Sequence, residues 1–435
     1  MFEERTAIKV SEAIKRVMQF CKKGEIEYIN IDDAEGRYLG KAVVADHNIP
    51  SFDRTPLDGF AVISEDTASA SPENPVRLEV IETVGAGNLA KREVKAGQAV
   101  RVMTGTMMPE ECDAIAMFEL TNEIEEDGKT WIELKRPFKK GDFVSFEGEE
   151  TKKGDVLLEA GTKIHAGVIA VLATFGYSEV PVVKKPVIGI YATGTELLEV
   201  DEELVPGKIR NSNAYMIKTQ VHQAGAEAVY YGQLADDFDQ CYDAVKNTLD
   251  KVDALITTGG VSVGDFDYLP EIYQKLGANV LFNKIAMRPG SVTTVAEKDG
   301  KLLFGLSGNP SACFVGFELY TRPWVKTFLH SDKPFTEWVK GTLTEDFPKP
   351  NPFTRFIRSK ISFEGGKITA SPVGMDKSQV VTSLAHSDAL VAVPGGTRGY
   401  KAGDEVDILL LFREGTKDPF KDPEKLRVKK SNDDA

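Results

Sequence analysis

Cysteine, histidine and basic charge are all scarce in this chain, and each shortage closes off a class of function. Its 435 residues hold four cysteines, Cys21, Cys112, Cys241 and Cys313, with no CxxC spacing. That distribution fits reduced thiols in a cytosolic protein and offers no disulfide framework. The five histidines (His47, His165, His222, His330, His386) are equally scattered, so no zinc-type ligand set stands out. Lys and Arg number 53 against 67 Asp and Glu, a net charge of −14. Such a balance argues against nonspecific binding to nucleic acid or to an anionic membrane surface. No apolar run approaches the ~18 residues a bilayer-spanning helix needs. The opening Phe2-Glu3-Glu4-Arg5 lacks the apolar region of a secretory signal. The expectation is a soluble, cytoplasmic protein.

What is present is length and pattern. The chain is too long for one core and suggests about three domains by length alone. Within residues 6–24, Val10, Ala13, Ile14, Val17 and Met18 recur at helical spacing. Short β-type runs follow at 60–63, 76–84, 99–103, 114–118 and 130–134, separated by turns such as Glu126-Asp127-Gly128-Lys129. They form a β-rich module over 51–140. Residues 148–178 alternate short strands with an apolar helix over 165–175, a texture closer to that of the N-terminal stretch. The pattern implies one discontinuous domain, 1–50 plus 141–180, interrupted by the β-rich insertion.

Beyond Pro186, strands at 187–191, 228–231, 254–257 and 280–285 alternate with helices at 213–224, 238–250 and 266–276. A hairpin turning at Lys298-Asp299-Gly300 and a long helix from Pro310 to Leu329 complete the run. Alternation of this kind predicts an α/β domain over 181–328 with a parallel sheet covered on both faces. Strand texture returns at 339–343, 354–363, 367–372, 389–393 and 405–411, giving a β-barrel-like domain over 329–415. The charged tail, 416–435, is expected to be mobile. The fold class is therefore multidomain α/β and β.

Ligands of parallel α/β sheets bind outside the carboxyl ends of the strands. Here each such end carries something unusual. The first runs into Thr193-Gly194-Thr195-Glu196, the second into Asp236-Asp237, and the third into Gly259-Gly260-Val261-Ser262-Val263-Gly264-Asp265-Phe266-Asp267. The strand through Lys284 leads to Met287-Arg288-Pro289-Gly290, and the hairpin ends in Ser307-Gly308-Asn309-Pro310. Glycines let the backbone turn sharply and bring its N–H groups near an anion. A helix start favours negative charge, and acids at that place suit a divalent cation held between anion and protein. Each piece also has an ordinary structural reading. A glycine turn is more often only a turn, and Glu196 alone is a solvated loop acid. Asp237 and Asp265 have the character of helix N-caps, favoured for Asp237, and Asn309-Pro310 can simply open a helix. Arg288 can partner an acid. Lys284, in an apolar strand beside Phe282 and Ile285, is harder to dismiss, because a lysine facing a core is costly.

Taken together these residues resemble the molybdopterin molybdotransferases, the family of bacterial MoeA and the gephyrin E-domain. The likeness runs through Pro56-Leu57-Asp58-Gly59-Phe60-Ala61-Val62, Arg101-Val102-Met103-Thr104-Gly105 and Thr193–Leu197. It continues through Ile209-Arg210-Asn211-Ser212-Asn213, Thr258–Asp267, Lys284–Gly290 and Gly305–Pro310. The resemblance implies a four-domain, elongated homodimer, its discontinuous first domain elongated too, that inserts molybdate into adenylylated molybdopterin with loss of AMP. It implies Mg²⁺ held by Glu196, Asp236 and Asp267, with Lys284 meeting phosphate or molybdate oxygens. It also implies that Asp58 and Thr104 enter from the other subunit. Thr193, Gly194, Asn213, Gly259, Gly260, Ser262, Gly264, Ser307, Gly308, Asn309 and Pro310 would cradle pterin and phosphates. Arg288, Ser291, Arg355, Arg358 and Ser378 would hold the substrate oxyanions. Implied partners are the molybdopterin adenylyltransferase and proteins that mature molybdoenzymes.

The chain departs from the family pattern in places. Ser291-Val292 stands where Lys-Pro is common, Thr195 where aspartate is, Ser307 where proline is, Ser145 where arginine is, and Glu150 where aspartate is. Two other readings stay open: a scaffold on the same fold that binds pterin without turnover, and an enzyme that adenylylates the pterin. Glu196, Asp236, Asp267 and Lys284 favour the enzyme, since a scaffold has no need of several acids whose mutual repulsion costs stability unless a cation is bound. The additional β modules argue against the adenylylating enzyme, which the family places on a related single domain.

Overall fold

The computed structural model describes residues 6–234, 237–260, 268–350, 352–364 and 366–412. It divides into two compact units, residues 26–183 and the remainder. The expected tail, 416–435, lies outside the described residues.

In the unit 26–183, period-two alternation builds a six-stranded sheet. Its order is Ala114–Met117, Gly59–Val62, Gln98–Val102, Val76–Val84, Lys129–Leu134, Thr121–Glu126. Phe60 and Val62 enter one apolar cluster and Ala61 another, because successive side chains point to opposite faces. The strand Thr121–Glu126 escapes the sequence pattern because Ile124 is its single apolar residue. Its turn does carry a signal: Asp127 and Gly128 take φ of 54° and 74°, the twist a two-residue hairpin requires. The rest of this unit pairs Ile26–Asn30 with Glu179–Val183 and Val43–Val44 with Val156–Leu158. Helix Ala166–Thr174 adds Val168 and Leu172 to a core with Leu39, Val43 and Val182.

In the other unit the sheet order is Glu227–Gln233, Val187–Ala192, Ala254–Thr258, Lys301–Leu306, Thr294–Lys298, Asn279–Phe282. The first four strands are parallel, and the last two pairings are antiparallel, so only Thr294–Lys298 runs against the rest. All five residues of Ala254–Thr258 are buried, as a doubly covered parallel strand demands. Helices Phe238–Leu249 and Leu269–Lys275 pack Val245, Ile272 and Tyr273 against Leu255 and Leu303.

The edge strand stops at Phe282, short of the expected 285, because another segment takes over the pairing. Ile8 N donates to Lys284 O at 3.1 Å and Ala286 N to Ile8 O at 2.7 Å. The same bridge delays the N-terminal helix, which runs Val10–Met18 and not 6–24. Residues before Ile26, grouped by sequence with 141–180, thus lie against the α/β sheet, Arg16 Nη1 donating to Leu281 O at 2.8 Å. The long helix from Pro310 comes in three pieces, Pro310–Gly316, π-helical Phe317–Thr321 and Arg322–Phe328. Pro323 has no N–H to give to the preceding turn, and a widened turn accommodates the missing bond.

The last five strands close into a barrel in the order Thr354–Glu364, Lys367–Pro372, Trp338–Leu343, Glu405–Leu410, Ala389–Val393. Closure follows because Thr354–Glu364 pairs with both Lys367–Pro372 and Ala389–Val393. Leu343, Ile357, Ala370, Val391 and Ile408 fill its interior. The short strand Met287–Arg288 runs parallel to Thr354 and Arg355, which joins the barrel to the α/β sheet and sets Arg288 beside Arg355.

Candidate active site

The parallel strands bring three of the expected loops together at their carboxyl edge. Thr193 follows Val187–Ala192 and donates twice to Thr258 O, from N at 3.0 Å and from Oγ1 at 3.1 Å. Gly259 has φ of +91°, and a Cβ there would sit 2.6 Å from Thr193 Oγ1 and 2.9 Å from its carbonyl oxygen. Only glycine fits so close an approach. Gly308 closes the group, with the Gly259 Cα 3.6 Å from where its own Cβ would be. Asn213, at the start of helix Asn213–Ala224, holds that loop by donating from Nδ2 to Gly308 O at 2.8 Å. Ser307 is buried and its Oγ accepts from Asn309 N at 3.2 Å. The backbone N–H of Gly259 is committed to Leu306 O at 2.9 Å. It therefore extends the sheet and does not face an anion as the glycine pattern suggested. Gly260, at φ +66°, lies against Thr193 Oγ1 and Leu269.

Glu196 is exposed, and its carboxylate folds back over Gly194, where a Cβ would meet Oε2 at 2.5 Å. The expected metal set cannot be assembled from what is described: Asp236, Asp267, and with them Ser262, Gly264 and Asp265, lie outside the described residues. Among the described residues no group of three His, Cys, Asp or Glu could hold a metal ion. Asp237 is an N-cap, its side chain accepting from Gln240 N at 2.9 Å. Lys284 is half-buried and lies past the end of the edge strand, so it does not face the core from within a strand.

A second cluster forms where the sheet edge meets the barrel. A cavity of about 370 Å³ is lined by Arg288, Ser291, Ser307, Asn309, Arg355 and Ser378, with Arg358 and three unexpected residues, Asp376, Lys377 and Gln379. Seven residues picked out in the sequence thus converge, from the two sides of the Met287–Arg288 junction. Lys284 and Asn213 are not among the lining residues. Arg288 is exposed, with no side-chain hydrogen bond or ion pair among the described residues. Arg358 is buried; its Nε donates to Ser383 Oγ at 2.6 Å and its Nη2 to Met375 O at 2.9 Å and Lys377 O at 3.2 Å. Burial lowers its pKa, against the opposing field of Asp376. Its role is to fix the loop that presents Ser378. Ser311 holds the same loop, donating from N to Ser378 O at 3.0 Å and from Oγ to Val380 O at 2.7 Å. Arg355 Nη1 is bonded to Asp376 Oδ2, and Lys349 Nζ lies 3.4 Å from the same oxygen.

In the unit 26–183, Asp58 and Thr104 form a pair of their own. Asp58 Oδ1 accepts from Thr104 N at 2.7 Å and from Thr104 Oγ1 at 3.0 Å. The backbone bond, then the hydroxyl, then the nearby Arg101 charge hold the Asp58 carboxyl below its usual range. Gly59 is required beside it, since a Cβ would lie 2.5 Å from Ala116 O. The result is an exposed, ionised and oriented carboxylate. No helix among the described residues is long and apolar enough to cross a membrane.

Sequence and structure comparisons agree along the chain. A family model of the MoeA N-terminal region (domain I and II) matches residues 8–176. One described as a probable molybdopterin binding domain matches 189–327, and one of the MoeA C-terminal region (domain IV) matches 340–411. The molybdopterin molybdenumtransferase of Bacillus subtilis (strain 168) is 56% identical over 414 residues, covering 95% of this chain and 96% of that protein. The same-named protein of Staphylococcus epidermidis (strain RP62A) is 49% identical over 408 residues, covering 94% and 96%. A crystal structure of the molybdopterin biosynthesis moeA protein from Pyrococcus horikoshii OT3 superposes with a TM-score of 0.80 at 31% identity, covering 93% of this chain and 100% of that one.

Proposed function

This chain belongs to the MoeA family, and from that membership and the cavity at its sheet edge we propose that it is a molybdopterin molybdenumtransferase. It inserts molybdate into adenylylated molybdopterin and releases AMP, giving the molybdenum cofactor. The observation that carries this reading is the convergence of Arg288, Arg355, Ser291 and Ser378 on one cavity beside the Thr193–Gly259–Gly308 cluster. Molybdate is a tetrahedral dianion, and guanidinium groups with hydroxyls match its charge and its acceptor oxygens. Ser291, in place of the family's lysine, contributes a hydrogen bond without a charge. The neighbouring glycine cluster packs the loops that follow three parallel strands close together, with Asn213 fixing the wall at Gly308.

The reading assigns Lys284 to the oxygens of phosphate or molybdate, and Glu196, Asp236 and Asp267 to Mg²⁺. Glu196 is a hard oxygen donor at the right edge of the sheet. When bound, Mg²⁺ would neutralise charge on the pyrophosphate link as AMP departs. The proposal includes a homodimer in which Asp58 and Thr104 of one subunit serve the crevice of the other, and supply of substrate by a molybdopterin adenylyltransferase. The test is AMP release from adenylylated molybdopterin by the purified protein with Mg²⁺, with and without molybdate. Molybdate-dependent release is expected. Tight pterin binding without release would replace this reading with the scaffold.

A further inference from the structure

We propose that Asp376 is a built-in counter-anion of the cavity, occupying Arg355 until a tetrahedral dianion displaces it and so selecting which anions enter. This rests on the reading of the cavity as the oxyanion site. Asp376 is the one carboxylate among the described residues that line it. It bonds Arg355 directly, and the two side chains are 15% and 10% exposed. Shielded from water, the two charges attract each other more strongly than the charges of a surface pair. Lys349 reinforces it from outside the cavity, donating to Asp376 O at 3.0 Å while lying 3.4 Å from Oδ2.

The loop around Asp376 is anchored independently of that carboxylate. Arg358 grips the carbonyls of Met375 and Lys377, the residues on either side, and Ser311 grips Ser378 and Val380. The side chain can therefore leave Arg355 while the loop keeps its course. An incoming monoanion would find Arg288 open and Arg355 already neutralised. A dianion offers two charges and four acceptor oxygens, enough to engage both guanidinium groups and compete with a single carboxylate. Specificity then comes from a repulsive element placed inside an attractive site.

The experiment is isothermal titration of the full chain and of Asp376→Asn with molybdate, sulfate and acetate, with circular dichroism melting to establish folding. Asp376→Asn should bind molybdate about tenfold more tightly than the parent and narrow the gap between dianions and acetate. Asp376→Ser carries the same expectation should the asparagine variant fail to fold. Unchanged or weaker molybdate binding in folded variants, with the parent still binding, overturns the counter-anion role and leaves the oxyanion site standing. Absence of molybdate binding in parent and variants alike overturns the oxyanion reading itself, and the counter-anion with it.

Discussion

Asp58 shows how much a single neighbour contributes at the scale of the residue. Its carboxylate is exposed, so burial does little to it. Two bonds from Thr104 hold its pKa down. Thr104→Val removes the hydroxyl donor and keeps the backbone one. The Asp58 pKa should then rise toward the ordinary carboxylate value, so the ionised form is lost at a higher pH as the solution is acidified. Carbon-detected titration of Asp58 in the two proteins measures this directly, and the acid limb of AMP release should move the same way. Glycine conformations and candidate acids are legible from residue types alone. Partners are not: nothing in the sequence ties Asp376 to Arg355, since they meet only through barrel closure and a loop return.

At the scale of the element, periodicity carries most of the reading. The strands of the β-rich module, the parallel strands and the helix at 165–175 stand out because apolar residues recur at two or at about 3.6. Where the pattern misleads, a local competitor explains it. Thr121–Glu126 has one apolar residue and is held by its neighbour's ladder; the edge strand yields at Phe282 to the bridge from Ile8. Asp237 illustrates a signal that survives intact. Its side chain satisfies the N–H of Gln240 at the start of helix Phe238–Leu249. Asp237→Ala should cost about 1 kcal/mol of stability in denaturant unfolding, and Asp237→Asn much less. Molybdate binding should not change in either.

For the whole molecule, the compact units divide at residues 26 and 183, and neither boundary is marked by a change of texture in the sequence at that place. Nor is the attachment of the first helix readable, because an amphipathic stripe shows that a face is buried without saying against what. Assembly offers the sharpest test of the proposed shared site. Mixing Asp58→Asn with Lys284→Ala subunits under exchange should restore roughly a quarter of parental AMP release, because half the dimers then carry one intact site of two. No recovery, with heterodimers present by native mass spectrometry, would place Asp58 and Lys284 in one subunit's site.

The strand Thr354–Glu364 serves three neighbours: two within the barrel and, through Thr354 and Arg355, the segment Met287–Arg288. Within the ring that strand divides its pairing, residues 355–359 going to one neighbour and 359–364 to the other. Closure means that unzipping the ring anywhere loosens the one strand that carries Arg355 and Arg358. Slow exchange of amide hydrogens in the ring and occupancy of the cavity should therefore be lost together on heating, as one cooperative event and not two.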